Sequence, residues 1–144
     1  MRVAAIGLQD FRNYEDRQIE LAPGVTAFVG PNGAGKTNIL EALHLVARGE
    51  SSRAGDDAEM IRWGAPVARV ALDACRTQER TRLEVTLFAP ALDVRRHPRR
   101  YTAEGAPRRA DDVVGTIAVV AFFPEDTDLL ASAPSARRRY LDAM

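Results

Sequence analysis

The chain opens on a short, mostly apolar run of strand length. Arg2 to Leu8 (Arg-Val-Ala-Ala-Ile-Gly-Leu) predicts a strand, and Arg17 to Leu21 a second, with Ile19 and Leu21 set against charged neighbours. Asp10 and Asn13 between them are turn formers, so the two strands are expected to pair antiparallel. Gly24 to Val29 is a short apolar, β-branched run entered by Pro23-Gly24, which predicts a buried strand. At Lys36 the rhythm changes: Ile39, Leu40, Leu43, Val46 and Ala47 recur at spacings of three and four, as one helix face requires. Residues 48–55 form a loop by composition, and Asp56 is placed to cap a short helix over Asp57 to Arg62 that ends at Gly64. Val67 to Cys75 and Leu83 to Phe88 alternate again, with Arg76 to Arg80 as a hairpin tip. Pro90 and Pro98 weaken any strand reading of the next stretch. Ala110 to Val114 predicts a short helix stopped by Gly115, and Ile117 to Phe123 another buried strand. Helical pieces begin at Pro124 and at Pro134; the second reaches Met144 without a terminator, the pattern of a chain cut rather than finished.

Between the third predicted strand and the long helix stands Gly30-Pro31-Asn32-Gly33-Ala34-Gly35-Lys36-Thr37, the G-x-x-x-x-G-K-[ST] phosphate-binding loop. Lys36 is the sole lysine in a chain whose other basic residues are all arginine. The loop interior admits a slim stem with a compact point charge, which a wide planar guanidinium cannot replace. From this composition, chance would produce the pattern with a probability of roughly 4 in 10,000. Strand, glycine loop and helix follow in the order the motif needs, so the helix aims its free N–H groups and positive dipole end at an anion. Gly30, Gly33 and Gly35 are expected to let the backbone wrap close to phosphate, by avoiding a Cβ clash or by taking positive φ. The N–H groups of Asn32 through Thr37, with Pro31 and Ala34 in the same loop, are expected to cradle the β-phosphate and its neighbours. Lys36 should neutralise the outer phosphate oxygens and Thr37 Oγ should ligate Mg²⁺. The expected cofactors are therefore ATP and Mg²⁺.

With 144 residues, 46% hydrophobic and 28% charged, the chain suits one α/β domain with a real core. The apolar stretch from Val113 to Phe123 is too short to span a bilayer, no signal peptide is visible, and the lone Cys75 fits a reducing cytosol as a small buried hydrophobe. A cytoplasmic protein without a membrane partner is expected. Zero net charge hides basic stripes: Arg95, Arg96, Arg99, Arg100, Arg108 and Arg109 share one segment with the single acid Glu104, and Arg137 to Arg139 form a second cluster. The six arginines of the first stripe, with Tyr101 as a stacking neighbour, are candidate DNA contacts; an arginine-rich solvated β-region is the plainer reading. His44 and His97 lack metal-ligand partners at useful spacing, and Trp63 reads as a core anchor rather than a base-stacking platform.

Several segments together resemble the RecF family of bacterial DNA-repair ATPases, related to the ABC-type chromosome-organising ATPases. They are Asp10-Phe11-Arg12-Asn13-Tyr14, Val29 through the glycine loop to Leu43, Glu59-Met60-Ile61-Arg62-Trp63-Gly64, Phe123-Pro124-Glu125-Asp126, and Pro134 to Asp142. The resemblance covers only the N-terminal part of such proteins. It implies a P-loop ABC-type ATPase lobe with a mixed sheet and early antiparallel strands, truncated so that residues 1–144 form part of one head. No signature motif and no apolar strand ending in Walker B acids is found, and an apolar sheet edge should be left exposed. Hydrolysis needs a metal-holding acid and a water-positioning residue as well as the loop. Only a weak DNA-dependent ATPase of the full-length dimer is therefore expected, with little turnover by these residues alone.

The resemblance further implies an ATP-dependent DNA-binding protein of recombinational repair, replication restart and the SOS response. ATP would close a homodimer on single-stranded or gapped DNA, alongside other recombination mediator proteins. By analogy Arg12 would touch the nucleotide's phosphates or ribose; otherwise it is a surface arginine on a turn. Arg53 would couple nucleotide state to DNA, or is simply solvated, and Glu125 would stand near the metal and water. Two other functions share the loop. A transporter-type ABC nucleotide-binding subunit is set against the Phe11-Arg12-Asn13-Tyr14 and Arg137-Arg138-Arg139-Tyr140-Leu141-Asp142 segments. A small P-loop kinase would need an acceptor-binding acid soon after the first helix, and none is apparent.

Overall fold

The computed structural model describes residues 1–76, 79–92 and 99–123, with Ser135 and Arg138. Strands β1 (Arg2–Phe11), β2 (Tyr14–Glu20), β3 (Val67–Arg76), β4 (Glu79–Phe88), β5 (Arg99–Ala103) and β6 (Ala106–Arg108) form one sheet in the order β2-β1-β3-β4-β5-β6. Every ladder among them is antiparallel. Helices α1 (Lys36–Arg48) and α2 (Ala110–Val113) and a 3-10 turn at Asp57–Met60 complete the regular structure that bears on the site, with a second 3-10 turn at Pro90–Leu92.

The two-residue period decides which face is dry. Ile6 pairs with Leu72 and Leu8 with Val70 across β1 and β3, while Val70 pairs with Val85 and Leu72 with Leu83 across β3 and β4; all are buried. Residues between them, such as Gln9, Arg69, Asp73 and Arg82, reach solvent, as one face of an antiparallel sheet can. There Arg82 bonds both Asp73 oxygens and Arg69 donates to Gln9. Ile39, Ala42, Leu45 and Val46 of α1 join the sheet residues in the apolar core. Leu40, expected on that face, is 43% exposed. Burial of the helix stripe supplies most of its stability, because a helix of this length is marginal alone.

Most local expectations hold. The first two strands are longer than the pattern indicated, Asp56 caps the 3-10 turn by accepting from the Ala58 N–H, and α1 closes on Gly49 at φ 74°. β4 begins at Glu79, with residues 77–78 of the hairpin tip outside the described set. The β5–β6 hairpin escaped the pattern reading. Its signal is Glu104-Gly105, both at positive φ between the Ala103–Ala106 pair, a two-residue turn of the twist hairpins favour. Pro107 fits because β6 is the sheet edge.

Three expectations are corrected. Residues 24–29 form no strand, with Val25 and Val29 98% and 92% exposed. A strand requires a neighbour to take its backbone hydrogen bonds, and among the described residues none pairs there. Residues 117–123 likewise lack a partner strand, yet Ile117 and Phe123 are buried while Val120 and Phe122 face out, the alternation of a strand without its neighbour. Trp63 is no core anchor: it lies almost fully exposed at the Gly64 turn. Cys75 is half-buried at the end of β3. The helical pieces after Pro124 and Pro134, with Glu125, Arg137 and Arg139, lie outside the described residues.

Candidate phosphate-binding site

Gly35 ends the glycine loop as the N-cap of α1, at φ 95°, and Gly33 also takes a left-handed φ of 83°. Side chains rarely adopt this region, so both positions favour glycine for conformational reasons. Gly30 is different. Its φ is not positive, and an added Cβ would make only ordinary contact with Ala34 at 3.5 Å, so nothing within the protein itself requires glycine there, and the close approach expected of it is to phosphate. Asn38 and Ile39 both donate backbone N–H to the Gly35 carbonyl, and the Ala34 N–H bonds Pro31 O. The amides of Lys36 and Thr37, at the start of the first turn, have no intrahelical acceptor and are available to an anion. Asn32, Gly33, Gly35, Lys36 and Thr37 line a cleft of about 370 Å³ with Asn38 and Arg53.

Lys36 folds back on its own loop, its ammonium donating to Gly30 O at 2.7 Å and Pro31 O at 2.8 Å. The charge is thereby held at the cleft by neutral acceptors. Thr37 contributes one hydroxyl in the first turn of the helix. Among the described residues no group of three His, Cys, Asp or Glu could hold a metal ion by itself. A Mg²⁺ ion would therefore need the ligand's own phosphate oxygens beside Thr37, as this hard, reluctantly dehydrated cation usually does.

The β1–β2 turn is docked against the loop. A Cβ on Gly35 would come within 2.6 Å of Asn13 Oδ1 and 2.9 Å of the Tyr14 hydroxyl. Asn13 donates to Ala34 O and accepts from Asn38 Nδ2 at 2.9 Å, and Arg53 Nη1 donates to Asn38 Oδ1 at 3.1 Å. Arg12, left-handed at φ 53°, is bonded to other residues than those lining the cleft. Its Nε and Nη2 donate to the two Glu41 oxygens at 2.9 and 2.6 Å, and Nη1 donates to Glu59 O at 2.7 Å. Its backbone N–H bonds Met60 O, and Arg62 N–H bonds Asp10 O, so residues 59–62 lie beside the same turn.

Glu41 was missed in the sequence because it reads as one more charge on an amphipathic helix. Its side chain is fully buried. Burial alone would raise its carboxyl, but hydrogen bonds from Arg12 and Ser51 and the charges of Arg12 and Arg53 outweigh that and hold it below the ordinary value. The faint signal was position: Glu41 follows Thr37 by one turn, among residues of the buried stripe.

The candidate DNA arginines divide. Arg99 is engaged, donating to both Asp57 oxygens at 2.7 and 2.5 Å and to the Gly49 carbonyl that ends α1; the Asp57 hydrogen bond holds its guanidinium above its ordinary value. Arg100 lies 5.5 Å over the Phe88 ring, and Arg108 and Arg109 are exposed. Tyr101 is half-buried, and Arg95, Arg96 and His97 lie outside the described residues. His44 Nδ1 meets Glu50 O at 2.9 Å, with its ring edge-on to Phe123. No helix among the described residues is long and apolar enough to cross a membrane.

A family model described as an AAA domain matches residues 5–88, which contain the docked turn, the loop, α1 and the β3–β4 hairpin. The DNA replication and repair protein RecF of Roseiflexus castenholzii is 41% identical over 161 residues, covering 99% of this chain and 39% of that protein. A structure of the recombination mediator protein RecF with ATP, from the RecFOR pathway, superposes with a TM-score of 0.81 at 26% identity, over 99% of this chain and 38% of that one. The SMC head domain from Thermotoga maritima superposes at 0.63 and 28% identity, over 78% of this chain and 40% of that one. The chain thus spans about two fifths of the length of these relatives. The expected P-loop ABC-type ATPase fold is confirmed, but the sheet expected to be mixed is antiparallel throughout among the described residues. The chain belongs to the AAA-domain family, and the relatives it resembles are RecF proteins.

Proposed function

We propose that these residues form the nucleotide-binding lobe of an ATP-dependent DNA-binding protein of recombinational repair and replication restart. In this reading ATP acts as a switch: a nucleotide-bound homodimer closes on single-stranded or gapped DNA, working with other recombination mediators. The observation that carries it is the docking of Asn13 and Tyr14 onto Gly35, which joins the turn of the RecF resemblance to the phosphate loop itself. Loop amides and the first turn of α1 would take the phosphate oxygens. Lys36 would leave Gly30 O and Pro31 O for the outer phosphates, and Thr37 with phosphate oxygens would hold Mg²⁺. Arg12 spends three of its five N–H groups on Glu41 and Glu59, and the remaining two are the ones a phosphate or ribose would engage. Arg100, Arg108 and Arg109 would meet DNA phosphates without reading sequence.

The test is equilibrium ATP titration of the full-length protein, followed by dimerisation and gapped-DNA binding with and without Mg·ATP across a salt series. ATP-dependent dimerisation and DNA retention, both lost in Lys36→Arg, are expected. DNA binding and dimerisation indifferent to nucleotide would refute the switch. The transporter-type reading is not favoured, since the named relatives are RecF proteins.

A further inference from the structure

Three pieces of chain meet at one carboxylate. Glu41 accepts from Arg12 Nε and Nη2 on the β1–β2 turn, and from Ser51 Oγ at 2.5 Å on the loop after α1. Arg53 Nη1 stands 3.7 Å from its other oxygen. Ser51 Oγ in turn accepts the backbone N–H groups of Arg53 and Ala54, so it fixes the loop from which Arg53 projects. Arg12 ties the assembly to the 3-10 turn through Glu59 O. Arg53 continues through Asn38 to Asn13, which abuts Gly35. Two cations, Lys36 and Arg53, thus line the phosphate cleft, Arg12 lies on the turn docked against the loop, and one buried anion contacts both arginines.

We propose that Glu41 is a positioning residue for nucleotide binding: it aims Arg53 along the phosphate cleft and holds the Arg12 turn against the glycine loop. This rests on the reading of the loop as an ATP site. The geometry supports a division of labour. Arg12 is gripped by two short hydrogen bonds on one edge, the arrangement that best fixes a guanidinium. Arg53 stands farther from Glu41, at 3.7 Å, lines the cleft, and has a side chain one-third exposed, so the carboxylate steers its charge toward the cleft. The ligand feature that Glu41 governs is therefore the charge of the polyphosphate tail, more than the nucleoside.

Two physical effects of removing this anion oppose each other. As a charge, Glu41 repels phosphate, so by field alone its loss would tighten ATP binding. As an organiser, its loss frees Arg53 and the Arg12 turn, and binding weakens because the cations must be ordered by the ligand. The buried, saturated carboxylate favours the second effect.

The experiment measures ATP and ADP affinity, with Mg²⁺, for the full-length protein as wild type and as Glu41→Gln, Glu41→Asp, Arg53→Ala and the Glu41→Gln/Arg53→Ala pair. The expected result is that Glu41→Gln weakens ATP by about tenfold and ADP by about threefold or less, that the double variant binds much as the weaker single one, and that Glu41→Asp recovers most of the loss. Should Glu41→Gln fail to fold, Ser51→Ala, which keeps the carboxylate but removes its bond to the loop and the two bonds that fix Arg53, is expected to show the same ATP-over-ADP bias. Equal losses for the two nucleotides, additive effects of Glu41 and Arg53, or tighter ATP binding would overturn the proposal. Wild-type binding that Lys36→Arg abolishes upholds the loop reading separately, so a failure of Glu41 alone is recognisable.

Discussion

Asn13 Oδ1 occupies the space a Cβ on Gly35 would need, 2.6 Å from its ideal position. The turn between the first two strands and the phosphate loop are thereby in direct contact, with glycine as the joint. Gly35→Ala meets two obstacles, the left-handed φ of 95° and this overlap. A loss of about 2 kcal/mol in stability and a large loss of ATP affinity are expected. Gly30→Ala, with neither obstacle, should change the denaturant midpoint little. Similar behaviour of the two variants in urea unfolding would contradict the joint.

Lys36→Arg should leave folding nearly intact, within about 0.5 kcal/mol, since among the described residues the ammonium bonds two exposed loop carbonyls. It should weaken ATP binding severely because the wider guanidinium does not fit the loop. Wild-type-like affinity by equilibrium titration would remove the basis of the site.

The lowered Glu41 carboxyl makes stability depend on acid. In the unfolded chain this group takes up its proton near 4.5, earlier on acidification than in the fold. The stability it contributes is complete above that value and is lost as pH falls through the lower folded value. Glu41→Gln should cost about 2 kcal/mol near neutrality, because the partly buried Arg12 loses the fully buried anion that pairs it, and its urea midpoint should fall less steeply than wild type below about pH 4.5. Parallel midpoints for both proteins across that range would show that the carboxylate is not the titrating group.

Arg99 and Arg108 sit in the same basic stripe and should respond oppositely. Arg99→Ala strands Asp57 and releases the Gly49 carbonyl, so about 2–3 kcal/mol of stability should go. Arg108→Glu should leave thermal unfolding unchanged yet flatten the salt dependence of DNA binding, if its exposed charge meets phosphate. An unaltered salt slope would take Arg108 out of the DNA-facing set.

Features that depend on neighbours in sequence were open to reading. The glycine loop, the α1 stripe, the Asp56 cap and the alternation of β3 and β4 each arise from φ preferences or from the period with which side chains leave the backbone, and these act over a few residues. Partnership across the chain was hidden. Glu41 looked like any solvated helix charge until Arg12, 29 residues earlier, and Ser51, 10 residues later, folded onto it. Arg99 looked free until Asp57, 42 residues away, reached it. Residues 24–29 carried a strand's composition without a strand's neighbour, and a ladder exists only when two segments share it. Local chemistry was written in residue order, whereas burial, charge pairing and strand pairing were settled by which distant groups the fold brought within about 3 Å.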